Sequence, residues 1–218
     1  MRVILFGATG MVGQGALREC LLADDVDRVL AVGRTGTGVT DPKLHEIVRD
    51  DLFDLTPVAD QLAGYDACLF CLGVSSAGMK EDAYRRITYD LTMAVARTLA
   101  TVHEGMRFLY VSGAGTDSSE HGRLMWARVK GRTENDLLAL PLDGYMFRPG
   151  FIQPMHGVKS KTRLYRFFYA VTSPLYPVLR RVAPKFVTSN ETIGRAMLTV
   201  ARAGAPKRVL ETADINLM

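Results

Sequence analysis

The stretch "RVILFGATGMVGQG" sets Gly7, Gly10 and Gly13 between a short apolar run and the start of an amphipathic pattern. Glycines so spaced can do a geometric job. One permits a tight turn, a second lets backbone N–H groups approach a pyrophosphate, and a third lets strand and helix pack closely. The phosphates then lie at a helix N-terminus, where unpaired N–H groups and the helix dipole favour an anion. A structural glycine-rich turn is the alternative. A strand before the glycines, a helix after them and a βαβ continuation favour the nucleotide.

The residues that follow select the nucleotide. A site for NAD holds Asp or Glu about 20 residues past the glycines, to bond the ribose 2′-hydroxyl. Here "LAVGRTGTG" offers Arg34 and no carboxylate before Asp41. A guanidinium suits a 2′-phosphate, and a charge-assisted hydrogen bond is worth about 1.5–3 kcal/mol. NADP(H) is therefore expected to bind roughly ten- to a hundredfold more tightly than NAD(H). A solvated loop arginine is the plain alternative. Asp51 and Leu52 in "VRDDLFD" fit the adenine edge, with Asp50 or Asp51 otherwise capping the next helix. In "CLFCLG", Cys68 and Cys71 have redox-motif spacing, but an odd spacing on a strand sends them to opposite faces. They read as packing residues, with Leu72 and Gly73 giving a cofactor room.

These residues need elements to hold them. Arg2–Phe6, Val29–Val32, Ile47–Val48, Ala67–Leu72, Phe108–Val111 and Tyr145–Phe147 read as strands. Gly10–Leu22, Met79–Val102 and Leu124–Leu140 carry apolar residues at helical spacing. Such alternation predicts an α/β fold: a doubly wound parallel sheet of Rossmann type, helices on both faces and right-handed crossovers. After Pro149-Gly150 the pattern changes. The segment "TRLYRFFYAVTSPLYPVLRRVAP" reads as two short basic-aromatic helices interrupted near Pro174 and Pro177. An amphipathic helix over Asn190–Ala203 follows, with Thr188 to Asn190 as cap candidates. We read 1–218 as one dinucleotide-binding domain, with 151–218 a small helical C-terminal cap for a substrate or partner.

Composition narrows the class. The chain has 218 residues, 48% of them hydrophobic and 23% charged, which suits a folded globular domain rather than a disordered one. No apolar run reaches the roughly 18 residues of a membrane span. The first residues read as a strand rather than a signal peptide, and three cysteines make no disulfide framework, so a reducing cytoplasm is expected. The net charge of +4 is unevenly placed: residues 151–218 hold 11 basic and 3 acidic residues, and Phe151–Asn190 holds no carboxylate. That basic third is either a solvated face or the place where an anionic substrate or acidic partner is met. Nucleic acid is not expected, and no metal-ligand spacing joins His45, His103, His121 and His156.

The runs GATGMVG, DL at 51–52, CLG at 71–73, YVSGAG at 110–115, VKG at 129–131 and RPG at 148–150, with Arg34, come in an order that resembles the short-chain dehydrogenase/reductase superfamily. The similarity is greatest to its atypical branch, NmrA-like and Tat-interacting-protein-like, and spans nearly the whole chain. The resemblance implies an NAD(P)(H)-binding oxidoreductase of a small carbonyl or quinone-like substrate. It also implies cofactor contacts from Thr9, Met11, Val12, Lys130, Pro149 and Phe151 besides those named above. In active members a Ser after the fifth strand polarises the carbonyl, a Tyr is the general acid, and a Lys four residues on lowers the Tyr pKa and holds the nicotinamide ribose. Ser112 and Lys130 match the first and last. Trp126 replaces the Tyr, and an indole N–H only donates and does not titrate usefully. An Asn often found on the preceding helix aligns loosely with Thr88.

Losing a positioned general acid costs about 10²–10⁴ in rate. Tyr84, Tyr89, His121, His156 and Lys130 itself are the possible substitutes. Ser112 is not set up as a hydrolase nucleophile, because Tyr110 occupies the first Gly position of G-x-S-x-G. Three readings follow: an NADP(H)-dependent oxidoreductase with a non-standard relay, a non-catalytic NADP(H) sensor or scaffold working through its basic surface, and a peripheral membrane protein using residues 162–182.

Overall fold

In the computed structural model, which describes residues 1–157 and 181–218, seven strands form one parallel sheet in the order β3-β2-β1-β4-β5-β6-β9. They are β1 (Arg2–Phe6), β2 (Arg28–Gly33), β3 (Leu44–Val48), β4 (Ala67–Phe70), β5 (Arg107–Val111), β6 (Asp143–Arg148) and β9 (Val209–Glu211). The order reverses between β1 and β4, and at such a switch point a crevice opens beyond the carboxyl ends of the strands.

Strand alternation sorts the core into two layers. Val3 and Leu5 of β1 face α1 (Met11–Leu22) and α5 (Asn190–Ala203), together with Ile193 and Met197. Ile4 and Phe6 face the opposite layer, made by α3 (Leu91–Val102) and α4 (Met125–Leu138). There Phe6, Phe70 and Phe108 form a ladder across neighbouring strands, with ring centroids 5.5 and 5.7 Å apart. Cys68 belongs to this layer and Cys71 to the other. Both thiols are held above their ordinary pKa by burial, and Cys20 is pushed up to about 12 for the same reason.

The expected helix over Met79–Val102 is divided. A short α2 (Glu81–Arg85) runs through a widened π-type turn, Arg86–Asp90, into α3. Ile87 of that turn and Leu91 at the start of α3 reach the crevice, as described below. Such turns recur at functional sites. Asn190–Ala203 is a helix as read, and Ser189 is its cap, its Oγ accepting the Thr192 N–H at 3.0 Å.

Residues 151–218 are expected from the sequence to form a C-terminal cap. In the fold, α5 instead packs along α1, close enough that a Cβ on Gly194 would lie 2.8 Å from the Gly15 carbonyl oxygen. The strand β9, three residues long, extends the main sheet beside β6, and α6 (Thr212–Ile215) follows it. Two further three-residue strands, β7 (Phe151–Gln153) and β8 (Val187–Ser189), pair with each other. These strands are too short to show a periodic pattern. The two helices expected within 162–182 fall almost wholly outside the described residues. No helix among the described residues is long and apolar enough to cross a membrane.

Candidate functional site

At the switch point the glycines close the corner between β1 and α1. Gly7 has φ +80°, in the left-handed region that favours glycine, and a Cβ there would lie 2.7 Å from the Cys71 carbonyl carbon and the Leu72 nitrogen. Its carbonyl accepts the Gly10 N–H at 2.9 Å, and a Cβ on Gly13 would collide with that same carbonyl. Gln14 Nε2 donates to the Thr9 carbonyl at 3.1 Å and steadies the turn. Gly10 caps α1 without a side-chain bond, so nothing from the cap competes for the first N–H groups of the helix.

Above this corner lies a cavity of about 690 Å³. Gly7, Thr9 and Gly10 form its floor, Arg34 its rim, and Leu52, Leu72 and Gly73 its side. Met11, Val12, Gly13 and Asp51 do not line it. Val12 packs toward the core, and Asp51 Oδ1 accepts the Phe53 N–H at 2.8 Å, making a turn that presents Asp50 and Leu52 instead. Phe53, Ile87, Glu46 and Thr37, which no sequence motif marks, also line the cavity. Ile87 arrives there through the π-type turn, and Glu46 comes from an exposed strand position, so neither carried a motif. Arg34 is exposed and makes no ion pair with the described residues. Glu46 Oε1 accepts the Thr37 N–H at 2.6 Å, tying the loop after Arg34 to β3. A glycine corner, free helix N–H groups and a rim cation fit the pyrophosphate and ribose of a nicotinamide dinucleotide.

The second half of the site lies past the ends of β5 and β6. Ser112 is buried, and its hydroxyl donates to Glu134, with the Phe147 carbonyl 3.1 Å away. A serine has one hydroxyl proton, so this bond turns it toward α4 rather than the crevice. Glu134 is 1% exposed and paired with Arg148, whose Nε lies 3.1 Å from each carboxylate oxygen. Lys130 Nζ donates to the Ser112 carbonyl. Burial lowers the Lys130 pKa to about 8, and Glu134 opposes that shift. Trp126, one helical turn before Lys130, rests on Gly115, where a Cβ would be 3.3 Å from the indole. The loop carrying Gly115 lies flat on α4, because Gly131 has no side chain to meet the Asp117 carbonyl. Pro149 joins the two strand ends, its carbonyl accepting the Ala114 N–H at 2.9 Å. Phe151, half-buried in β7, donates its N–H to the Phe186 carbonyl at 2.8 Å.

The possible substitutes for a tyrosine lie elsewhere. Tyr84 is buried in the core, Tyr89 donates to Asp136, and His156 meets Glu191 at 2.7 Å. His121 is exposed in the loop before α4. Thr88 is buried in the π-type turn and does not line the cavity.

A family model described as NAD(P)H-binding matches residues 7–161, which span the glycine corner, the cavity and the Ser112–Lys130 pair. The chain belongs to this NAD(P)H-binding family. Among its relatives, "Protein FMP52, mitochondrial" of Eremothecium gossypii is 30% identical over 155 residues, covering 70% of this chain and 66% of that protein. The protein of the same name from Meyerozyma guilliermondii is 26% identical over 190 residues, covering 81% and 79%. A solved short-chain dehydrogenase/reductase of Saccharomyces cerevisiae superposes with a TM-score of 0.67 at 11% identity, covering 98% of this chain and 96% of that one. That identity speaks for the fold alone. This NAD(P)H-binding chain thus shares the fold of that dehydrogenase/reductase.

Proposed function

We propose that this chain is an NADP(H)-dependent oxidoreductase acting on a small carbonyl-like substrate, with a proton relay that does not use a tyrosine. The observation that carries the cofactor half is Arg34. It stands on the rim of the glycine-floored cavity with no counter-ion among the described residues, where a 2′-phosphate would supply one. The bound nicotinamide would supply the redox chemistry. The chain's own part is to hold the pyrophosphate on the Gly7–Gly10 corner and α1, to admit the 2′-phosphate at Arg34, and to offer polar groups at the ends of β5 and β6.

Among those groups Ser112 gives its proton to Glu134, so Lys130 is the donor that remains for a substrate oxygen. A second reading, a non-catalytic NADP(H) sensor, draws its support from Trp126 standing where a titrating phenol would be. Both named relatives are called mitochondrial, and a reducing compartment of either kind suits three unpaired cysteines.

The test is a titration with NADPH and then NADH, following the fluorescence of Trp126, the single tryptophan of the chain. Reduced nicotinamide beside the indole quenches it by energy transfer. NADPH is expected to saturate the signal at a concentration ten- to a hundredfold below NADH. Equal affinities would remove Arg34 as a phosphate reader, and silence with both nucleotides would remove the cofactor. Substrate-dependent NADPH oxidation then separates the enzyme from the sensor.

A further inference from the structure

We infer that Lys130 is the proton-exchanging group at the nicotinamide end of the crevice: oxidised cofactor binds beside its neutral amine and expels a proton, whereas reduced cofactor binds beside its ammonium form. The inference rests on the NAD(P)H reading and deepens it. It makes the affinity for the two redox states, and not only catalysis, depend on one lysine.

The placement follows from the sheet. The cavity runs from the β1–α1 corner to Cys71–Val74, just past β4. The next strands in order are β5 and β6, whose ends carry Ser112, Gly113 and Pro149. A dinucleotide laid across the switch point therefore extends toward Lys130. The amine donates to the Ser112 carbonyl and would lie 3.6 Å from a Cβ on Gly113, so it is held at the strand end.

No nearby carboxylate is free to hold the charge there. Glu134, on the same helix, is taken by Arg148 of β6 and Ser112 of β5. Asp117, in the loop between β5 and α4, accepts from Ser119 and Gly122. Glu81 of α2 pairs with Arg128, and Asp136 at the far end of α4 takes Tyr89 and Arg132. Tyr84 of α2 and Tyr110 of β5 are both held above the ordinary phenol range by burial, so neither exchanges a proton near neutrality. Trp126, one turn before Lys130, has no proton to exchange. Of these groups, the amine alone changes charge in the physiological range. An oxidised nicotinamide ring brings a positive charge to a poorly solvated place already holding an ammonium, and like charges there favour loss of one proton. A reduced ring is neutral and makes no such demand.

The experiment uses the intact chain, with NADP⁺ and NADPH titrated calorimetrically between about pH 6 and 9. Because both nucleotides carry the same phosphates, the ratio of their dissociation constants isolates the ring. Below the lysine pKa, NADP⁺ is expected to gain on NADPH by about tenfold per pH unit, levelling off near pH 8. Near neutrality, NADP⁺ should release close to one proton, read from heats in buffers of different ionisation enthalpy. NADPH should release none. Lys130→Arg, permanently charged, should keep NADP⁺ weak at every pH; the proton count on the unaltered chain stands even if that variant does not fold. Both nucleotides binding with a pH-independent ratio and no proton release would overturn the role of Lys130 and leave the cofactor reading intact. Proton release persisting in Lys130→Arg would overturn the assignment to this residue. Binding of neither nucleotide would overturn both.

Discussion

Glu134 follows Lys130 by one helical turn, yet its carboxylate is bonded to Ser112 and Arg148 and the lysine amine is bonded to the Ser112 carbonyl. The i, i+4 spacing that would ordinarily make a surface ion pair is here split into two separate jobs. Glu134 joins α4 to β5 and β6. Lys130 is left with a neutral partner, and burial lowers its pKa. The strand end that holds the Lys130 amine is therefore tied to α4 by a separate buried charge pair.

Substituting Glu134 tests that construction. Glu134→Gln keeps an acceptor for Ser112 but leaves the mostly buried Arg148 with the Ser118 hydroxyl and, as its one carboxylate among the described residues, the more distant Glu211 at 3.4 Å. Breaking one side of a buried pair is expected to cost about 3–5 kcal/mol, seen as a lower urea midpoint at unchanged slope. The same change removes the influence that raises the Lys130 pKa, so the amine should titrate below its present value. A midpoint shift equivalent to less than about 0.5 kcal/mol would show that the pair holds nothing together.

Gly131 makes a second, local prediction. Gly131→Ala would drive a Cβ into the Asp117 carbonyl, which lies directly over α4. The loop must lift, and overpacking of this kind costs about 1–3 kcal/mol. Because Gly115 of the same loop lies against Trp126, the indole emission should shift with it. A variant with unchanged stability and unchanged emission would mean the loop yields without effort.

Much of this was legible in the sequence, for identifiable reasons. Four strands of the main sheet, β1, β2, β4 and β5, are largely apolar runs of four to six residues, whereas β3 showed only its Ile47–Val48 end, and the glycine corner depends on three residues of one type at fixed spacing. Arg34, Leu52 and Leu72-Gly73 follow strand ends, which is where the cavity is. What stayed hidden was either too short to carry a period, as with β7 to β9, or decided by tertiary contact. The inward turn of Ser112 is of the second kind: nothing in "YVSGAG" says which way the hydroxyl points until α4 brings Glu134 against it. The π-type turn is also hidden, because its residues keep a helical pattern while the backbone widens.

Arg34→Ala addresses the nucleotide. Removing the rim guanidinium should weaken NADPH by about ten- to a hundredfold and leave NADH within about twofold, as read by Trp126 quenching. The NADPH affinity of the unaltered chain should also fall more steeply with added salt than that of the variant, since the contact is exposed. Equal losses for both nucleotides would place Arg34 on the shared phosphates instead.

The pH dependence of stability offers a check on Lys130 that needs no ligand. Burial lowers its pKa from 10.5 to about 8, so between those values the unfolded chain binds more protons than the folded one. Stability contributed by this residue therefore rises with pH across that window, and below it the full penalty of burying an ammonium is felt. With 1.36 kcal/mol per pKa unit, the swing amounts to about 3 kcal/mol as an upper figure. Other groups titrate at high pH as well, so the quantity to measure is the difference from Lys130→Met. That variant should be the more stable of the two at pH 7, and the gap should close as the pH approaches 10. A difference independent of pH would mean that Lys130 is fully charged and solvated in the folded chain, and that the depressed amine is not a property of this site.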